Sequence, residues 1–392
     1  MRAHLFAAAI SVAATLPLAA HAAGQDWTVG ISATASAQTN DNIFAVHTKQ
    51  TSDTVLGFAP RIDLTHEAGA GKFAAFVDGN LTRYSSNSGE DSDDYGLGAS
   101  YRGKANGMSF DLAASHALNT ESRRDKNARR DSTERTHDNV DNYSAGLGAD
   151  VAGGTLSGGV SYTKLDYQNV RSAKTGAVIL QDDRDHNVTG ERLAYSWGSG
   201  TSYSLSADFT QVNYDLTAPV AKNNRDSKGY TLSAGVSQTF SKTVTGSANI
   251  GYTTRSFKDV KFSDVSDVAL SANLNWTPDS STQVALSASR SLQETVVPNS
   301  PVYISSTVGA NLSRQVTEKV GVTAYVNYEW DDHQGVDRSD TVTGLGLATS
   351  VAVAKHVSLS LAYDFSREDS SGALQSAGYD NSVFSASISA KF

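Results

Sequence analysis

From Trp27 onward the chain is written in period two. Residues 320–331 place Val320, Val322, Ala324, Val326, Tyr328 and Trp330 on one face, and Gly321, Thr323, Tyr325, Asn327, Glu329 and Asp331 on the other. Successive strand side chains point to opposite sides, so this is a strand with one apolar and one polar face. The pattern recurs in Met108, Phe110, Leu112 and Ala114, in Tyr230, Leu232, Ala234 and Val236, and in Val268, Leu270, Ala272, Leu274 and Trp276. About eighteen such segments follow one another, most of them about 10 to 15 residues long, twice an ordinary globular strand and near the length a tilted strand needs to cross a bilayer.

The connectors alternate in length. Short ones fall at residues 67–72, 103–107, 152–154, 198–200, 241–243, 278–281, 317–319 and 354–356. Long polar ones fall at 40–51, 85–94, 119–141, 171–185, 215–228, 257–264, 293–302, 331–340 and 367–380. That alternation is what periplasmic turns and extracellular loops require. Because lipid satisfies no backbone hydrogen bond, the sheet must close. The expected fold is therefore all-β: a transmembrane up-and-down antiparallel β-barrel of about 18 strands, with 16 the neighbouring even count. Both termini then lie on the periplasmic side, and residues 23–392 form one barrel without a plug domain.

The four tryptophans, Trp27, Trp197, Trp276 and Trp330, fall at expected strand ends, where interfacial aromatic girdles sit. The last strand runs Phe384, Ala386, Ile388, Ala390, Phe392, ending on an aromatic that resembles the terminal signal read by the barrel-assembly machinery. Ahead of the strands, Arg2, the apolar run from Leu5 to Leu18 and Ala20-His21-Ala22 make residues 1–22 an expected signal peptide. Export points to the outer membrane of a Gram-negative bacterium, with lipid and lipopolysaccharide as surroundings. The absence of cysteine suits that oxidising route and removes disulfides, thiol nucleophiles and acyl-lipid anchors. Thirty-two Lys and Arg against 41 Asp and Glu, scattered along the chain, provide no footprint for nucleic acid.

If the apolar face meets lipid, the other lines the lumen. It is mostly Ser, Thr, Gly and Asn, as in Ser271, Asn273 and Asn275. Its charges are Arg61, Arg102, Arg192, Arg255 and Lys391 against Asp63, Asp78, Asp111, Asp150, Asp208, Glu329 and Asp364, a mixture that imposes little ion selectivity by itself. The clearest inward aromatics, Phe76, Tyr84, Tyr214 and Tyr325, are too few for a continuous sugar slide.

The longest connector, residues 119–141, carries Arg123, Arg124, Lys126, Arg129, Arg130 and Arg135 among as many acids. Such a loop either stays solvated at the surface, or folds into the barrel as a constriction, or meets an anionic polymer through its arginines. The acidic run Glu90, Asp91, Asp93, Asp94 is a candidate divalent-ion site if its carboxylates converge. The histidines show no metal-ligand spacing, no nucleophile elbow, P-loop or H-E-x-x-H occurs, and only Asp331, Asp332 and His333 gather groups usable by a hydrolase. We therefore expect no enzyme, metal or cofactor.

At the end of the first strand stands Asn40-Asp41-Asn42-Ile43-Phe44. With the leader, the strand run and Phe392, this resembles the putative beta-barrel porin type 2 family, which includes outer-membrane proteins associated with exopolysaccharide secretion. The resemblance implies passage of a secreted polysaccharide across the outer membrane, with polysaccharide-export proteins as partners. The residues alone describe a wide polar lumen, equally compatible with a general diffusion porin for small solutes or ions. A surface adhesin or structural barrel acting through its loops is the third expectation.

Overall fold

The computed structural model describes residues 27–181, 183–215 and 224–392; the expected leader lies outside them. Eighteen strands make one sheet. They are β1 (Trp27–Asn40), β2 (Asp53–Ala68), β3 (Gly71–Tyr84), β4 (Ser92–Ala105), β5 (Met108–Thr120), β6 (His137–Val151), β7 (Gly154–Tyr167), β10 (His186–Trp197), β11 (Thr201–Tyr214) and β12 (Ser227–Thr239). The rest are β13 (Val244–Phe257), β14 (Val265–Asp279), β15 (Thr282–Glu294), β16 (Val302–Gln315), β17 (Val320–His333), β18 (Ser339–Ala354), β19 (Val357–Ser371) and β20 (Tyr379–Lys391). A two-residue hairpin, β8 (Val170–Arg171) and β9 (Val178–Ile179), lies in the loop between β7 and β10.

Each barrel strand pairs antiparallel with the next, and β1 pairs with both β2 and β20, so the sheet closes with the expected count. Closure leaves no open edge to face lipid. Eighteen strands spaced about 4.8 Å apart and tilted about 40° close into a cylinder about 35 Å across at the backbone.

Paired residues in a ladder share a face, so the register sorts inside from outside. One row passes from Arg102 through Asp111, Gly146, Gly159, Arg192, Asp208 and Thr231 to Thr253. Residues one step along the strands point the other way, and there Leu147 is 67% and Leu361 61% exposed. Leucines this bare on a continuous belt have lipid as their solvent.

The four tryptophans lie in the outward register near strand ends. Trp27 stacks on His66 at 4.4 Å between ring centres, and Trp197 lies against Tyr195 and Tyr203. Phe392 exchanges backbone hydrogen bonds with Ile31, and its ring stacks on His356. The turn between β4 and β5 shows why the periplasmic connections are so tight. Asn106 and Gly107 both take positive φ, 52° and 77°, the two-residue geometry that matches strand twist.

The buried residues lie mainly at the opposite, extracellular end. Ile43, Val55 and Tyr84 form the small apolar cluster there, with Phe44 packed against it. Around it lie charged groups with almost no exposure, including Glu90, Arg123, Asp331, Asp340 and Glu368.

Candidate functional site in the mouth of the barrel

The long charged connector is shorter than its composition implied. Asn119 and Thr120 belong to β5, and 137–141 belong to β6, leaving residues 121–136 as the loop. Polar strand ends standing in water lack the lipid-imposed alternation, so sequence reading assigned them to the connector.

Of the placements open to this loop, its contacts put it inside the barrel rather than at the solvated surface. Lys126 Nζ lies 2.5 Å from Glu329 Oε1, also pairs with Asp331, and sits 5.4 Å from the centre of the Tyr303 ring. Both acids belong to β17, the eighth strand counted back from β5 and the ninth counted forward from β6, hence the opposite wall. Sixteen residues at about 3.3 Å each extend about 50 Å, enough to cross a bore about 35 Å wide partway and return, with two side chains closing the remainder. Arg130 reaches Glu368 of β19 at 2.7 Å and lies over Tyr379. Arg124 Nη1 approaches Ser366 Oγ and Asn381 Oδ1 at 3.4 and 3.5 Å. The polar wall partners Glu329, Asp331, Ser366, Glu368 and Asn381 stand two to five residues inside the extracellular strand ends, so the loop lies within the mouth.

Its near end is held as firmly. Arg123 forms a two-pronged pair with Glu90 at 2.6 and 3.0 Å and donates to Ser132 Oγ at 2.8 Å. The two charged side chains are only 3% and 2% exposed. Arg135 donates to the Glu90 carbonyl, with its guanidinium over Tyr84. Arg129 contributes its carbonyl, which accepts from Arg123.

Neighbouring loops clamp the insertion. Arg184 pairs with Glu121 at 2.6 Å and lies 4.0 Å over the Tyr167 ring. Burial works most against its charge, but the Glu121 carboxylate, Tyr167 and Asp125 together raise its pKa above the ordinary arginine value. Asn127 accepts from the Val296 amide, while buried Arg225 donates to the carbonyls of Val297 and Ser300. Residues 131–134 are stitched to the small hairpin by Thr133 N to Arg171 O and Ala173 N to Asp131 O, both 2.8 Å.

Asn40-Asp41-Asn42-Ile43-Phe44 seals the seam where the first strand meets the last. Buried Asn42 donates to the carbonyls of Val46 and Asp380, both at 2.7 Å. Asp41 Oδ1 accepts from the Ser382 amide, and Asn381 donates to Asn40 Oδ1 and to the Asn42 carbonyl. Arg123 lies 5.9 Å over the Phe44 ring, so the seam is also part of the loop's seat.

About half of the named wall charges pair among themselves. Arg61 meets Asp78 at 2.6 Å and Asp63 at 2.8 Å and covers the Phe76 ring at 4.4 Å. Arg192 meets Asp208 at 2.7 Å, while Arg255 pairs with Glu294, which also accepts from Tyr214. Arg102 stands opposite Asp111 in the ladder and Lys391 opposite Ser32. Asp150 accepts from Thr155, and Asp364 from the Tyr325 hydroxyl at 2.6 Å.

The acidic run does not converge. Glu90 faces Arg123, Asp91 accepts from the Tyr84 amide, Asp93 meets Arg83 and Asp94 accepts from Thr120. Alternation along β4 separates Asp93 from Asp94, and Glu90 and Asp91 precede the strand with partners of their own, so the four make no shared ion cage. The group around His333 is no proton relay either. His333 Nε2 and Ser370 Oγ both bond to Asp340, so the carboxylate stands between them and the imidazole cannot take the hydroxyl proton. Asp331 is engaged with Lys126, and Asp332 with Gln334.

Sequence comparison matches residues 21–392 to the family described as Putative beta-barrel porin 2. No curated protein matches the chain. Among solved structures, OccK9 (OpdG) of Pseudomonas aeruginosa is 14% identical, with a TM-score of 0.51 over 94% of this chain and 99% of its own. OpdK of the same organism, solved with vanillate, is 10% identical, with a TM-score of 0.51 over 93% and 99%. The FrpB iron transporter of Neisseria meningitidis, as apoprotein, is 8% identical, with a TM-score of 0.51 over 88% of this chain but 62% of its own. At these identities the likeness is one of fold.

Proposed function

Since the chain belongs to the Putative beta-barrel porin 2 family, we propose that this outer-membrane barrel is a diffusion channel for small solutes, its bore set by residues 121–136. The observation that carries this reading is the bond from Lys126 to Glu329 and Asp331 on the far wall. A barrel of eighteen strands with an empty lumen would pass large solutes. A strap of chain across the mouth divides that opening, and opposing charges beside it select what remains. The wall below is hydroxyl- and amide-rich, which keeps the path wet.

Polymer exit, which the family resemblance implied, has weaker support here. It requires the strap to leave the bore, and with it the buried pair of Arg123 with Glu90 and the part-buried pair of Arg130 with Glu368. Breaking the buried pair leaves a charge without its partner, a cost of about 3–5 kcal/mol, and the second adds less because Arg130 already meets water. Lipid contact through the tryptophan girdle and recognition of Phe392 by the assembly machinery belong to the same reading. An enzymatic role has no support in the His333 geometry.

The test is conductance in planar bilayers. The intact protein is expected to conduct constitutively, and a variant with residues 122–134 replaced by a Gly-Gly link to conduct several-fold more. Equal conductance for the two would overturn the constriction. Loss of extracellular polysaccharide in a deletion strain, with small-solute uptake unchanged, would favour polymer exit instead.

A further inference from the structure

Resting on that channel reading, we propose that the mouth contains a binding subsite for small hydroxylated monocarboxylates, centred on Arg124. Four of the strap's six cations face carboxylates: Arg123 and Arg135 share Glu90, Lys126 has Glu329 and Asp331, and Arg130 has Glu368; Arg129 has no carboxylate partner among the described residues, but its Nε is buried in the strap and it does not line the cavity. Arg124 is exposed and has no carboxylate within ion-pair distance among the described residues. Its approaches are to neutral acceptors, Ser366 Oγ and Asn381 Oδ1, at the outer limit of hydrogen-bond length.

The guanidinium borders a cavity of about 510 Å³ inside the barrel, between the strap and the seam of β1 with β20. Gln38, Asn40, Tyr325 and Asn327 line the same space and supply amides and a hydroxyl suited to the hydroxyl groups of a solute. Asp364 also lines it, but accepts from Tyr325 at 2.6 Å rather than meeting Arg124. Taken with Glu90, which answers one of the two neighbouring arginines, the cavity keeps one net positive charge. A carboxylate fits that charge, and the planar fork of arginine grips it with two parallel hydrogen bonds. Acids nearby disfavour dianions, and the walls offer too little apolar surface to hold a purely hydrophobic acid.

Reversal potentials in a potassium chloride gradient, with potassium gluconate as the added probe, test the subsite. The intact channel is expected to prefer anions and to lose chloride current as gluconate is added. Arg124→Gln removes one charge from the cavity beside the strap and is expected to lower the anion-to-cation permeability ratio about threefold and abolish the gluconate effect. Arg124→Lys keeps the charge without the fork, so it is expected to retain the ratio and lose most of the gluconate effect. A gluconate response in Arg124→Gln equal to that of the intact channel would overturn the subsite. If excising the strap raises conductance while Arg124→Gln changes nothing, only the subsite fails; if excision changes nothing, the channel reading fails and the subsite with it.

Discussion

The extracellular mouth and the wall beneath it obey different chemistry, although the same strands build both. In the mouth, Glu90, Asp331, Asp340 and Glu368 are each no more than 3% exposed and face arginine, lysine or histidine. Farther down, inward Ser271, Asn273, Ser287 and Ser289 are exposed inside the barrel. One region is packed like a protein interior made of ion pairs; the other is a wet surface that happens to face inward. The barrel is therefore specified by its wall, while its bore is specified by a connector that carries no strand period.

If that division is right, the largest effect comes from unseating the strap. Arg123→Ala removes both short hydrogen bonds to buried Glu90 and leaves it only Arg135, 3.8 Å away, so the expected loss is about 3 kcal/mol of strap docking, at the low end for a broken buried pair. Limited trypsin digestion checks it, because Lys126 and Arg130 are tied to the wall in the intact protein. Faster cleavage at those sites, with the barrel itself surviving, is expected. Unchanged cleavage would mean that the mouth is held by something other than its ion pairs.

Next in size is a test of the wall's two faces. Leu232 sits near the middle of β12, 51% exposed on the lipid side, and Ser233 faces the lumen. Leu232→Arg is expected to cost about 2–4 kcal/mol in urea unfolding of the barrel in liposomes, because the charge enters hydrocarbon. Ser233→Arg places the same charge in water and is expected to leave unfolding nearly unchanged. Equal costs would break the assignment of faces.

These faces were legible in the sequence because lipid enforces alternation residue by residue, and Val320 to Trp330 read the same way in the sequence and in the structure. Strand ends were less legible: Asn119, Thr120 and residues 137–141 project beyond the lipid, where nothing demands an apolar partner for each polar residue. The strap's cations were visible as a cluster, but their acids were not, since Lys126 meets Glu329 across 203 positions of chain. Glu90's partner was hidden for the same reason: in the sequence it is one acid in a run, and only the fold brings Arg123 to it. The Asn40 to Phe44 motif marked the family, whereas its work of joining β1 to β20 required the partner residues Asp380 to Ser382.

The smallest effects sharpen the comparison most, because they come from one substitution made in both regions. Ser132→Ala removes a hydroxyl that is 5% exposed, accepts from Arg123 at 2.8 Å and can donate to the Arg129 or Glu134 carbonyl. With no water to replace it, those groups lose a partner, and the expected cost is about 1–3 kcal/mol of strap docking, read as faster tryptic cleavage. Ser289→Ala removes the same atom from β15, where the side chain faces the lumen next to Ser271 and Thr307. Water already solvates that hydroxyl, so unfolding is expected to change by less than about 0.5 kcal/mol and conductance not at all. A cost at Ser289 matching that at Ser132 would mean that the lower lumen is packed rather than wet, and the bore would then have to be sought along the wall instead of at the strap.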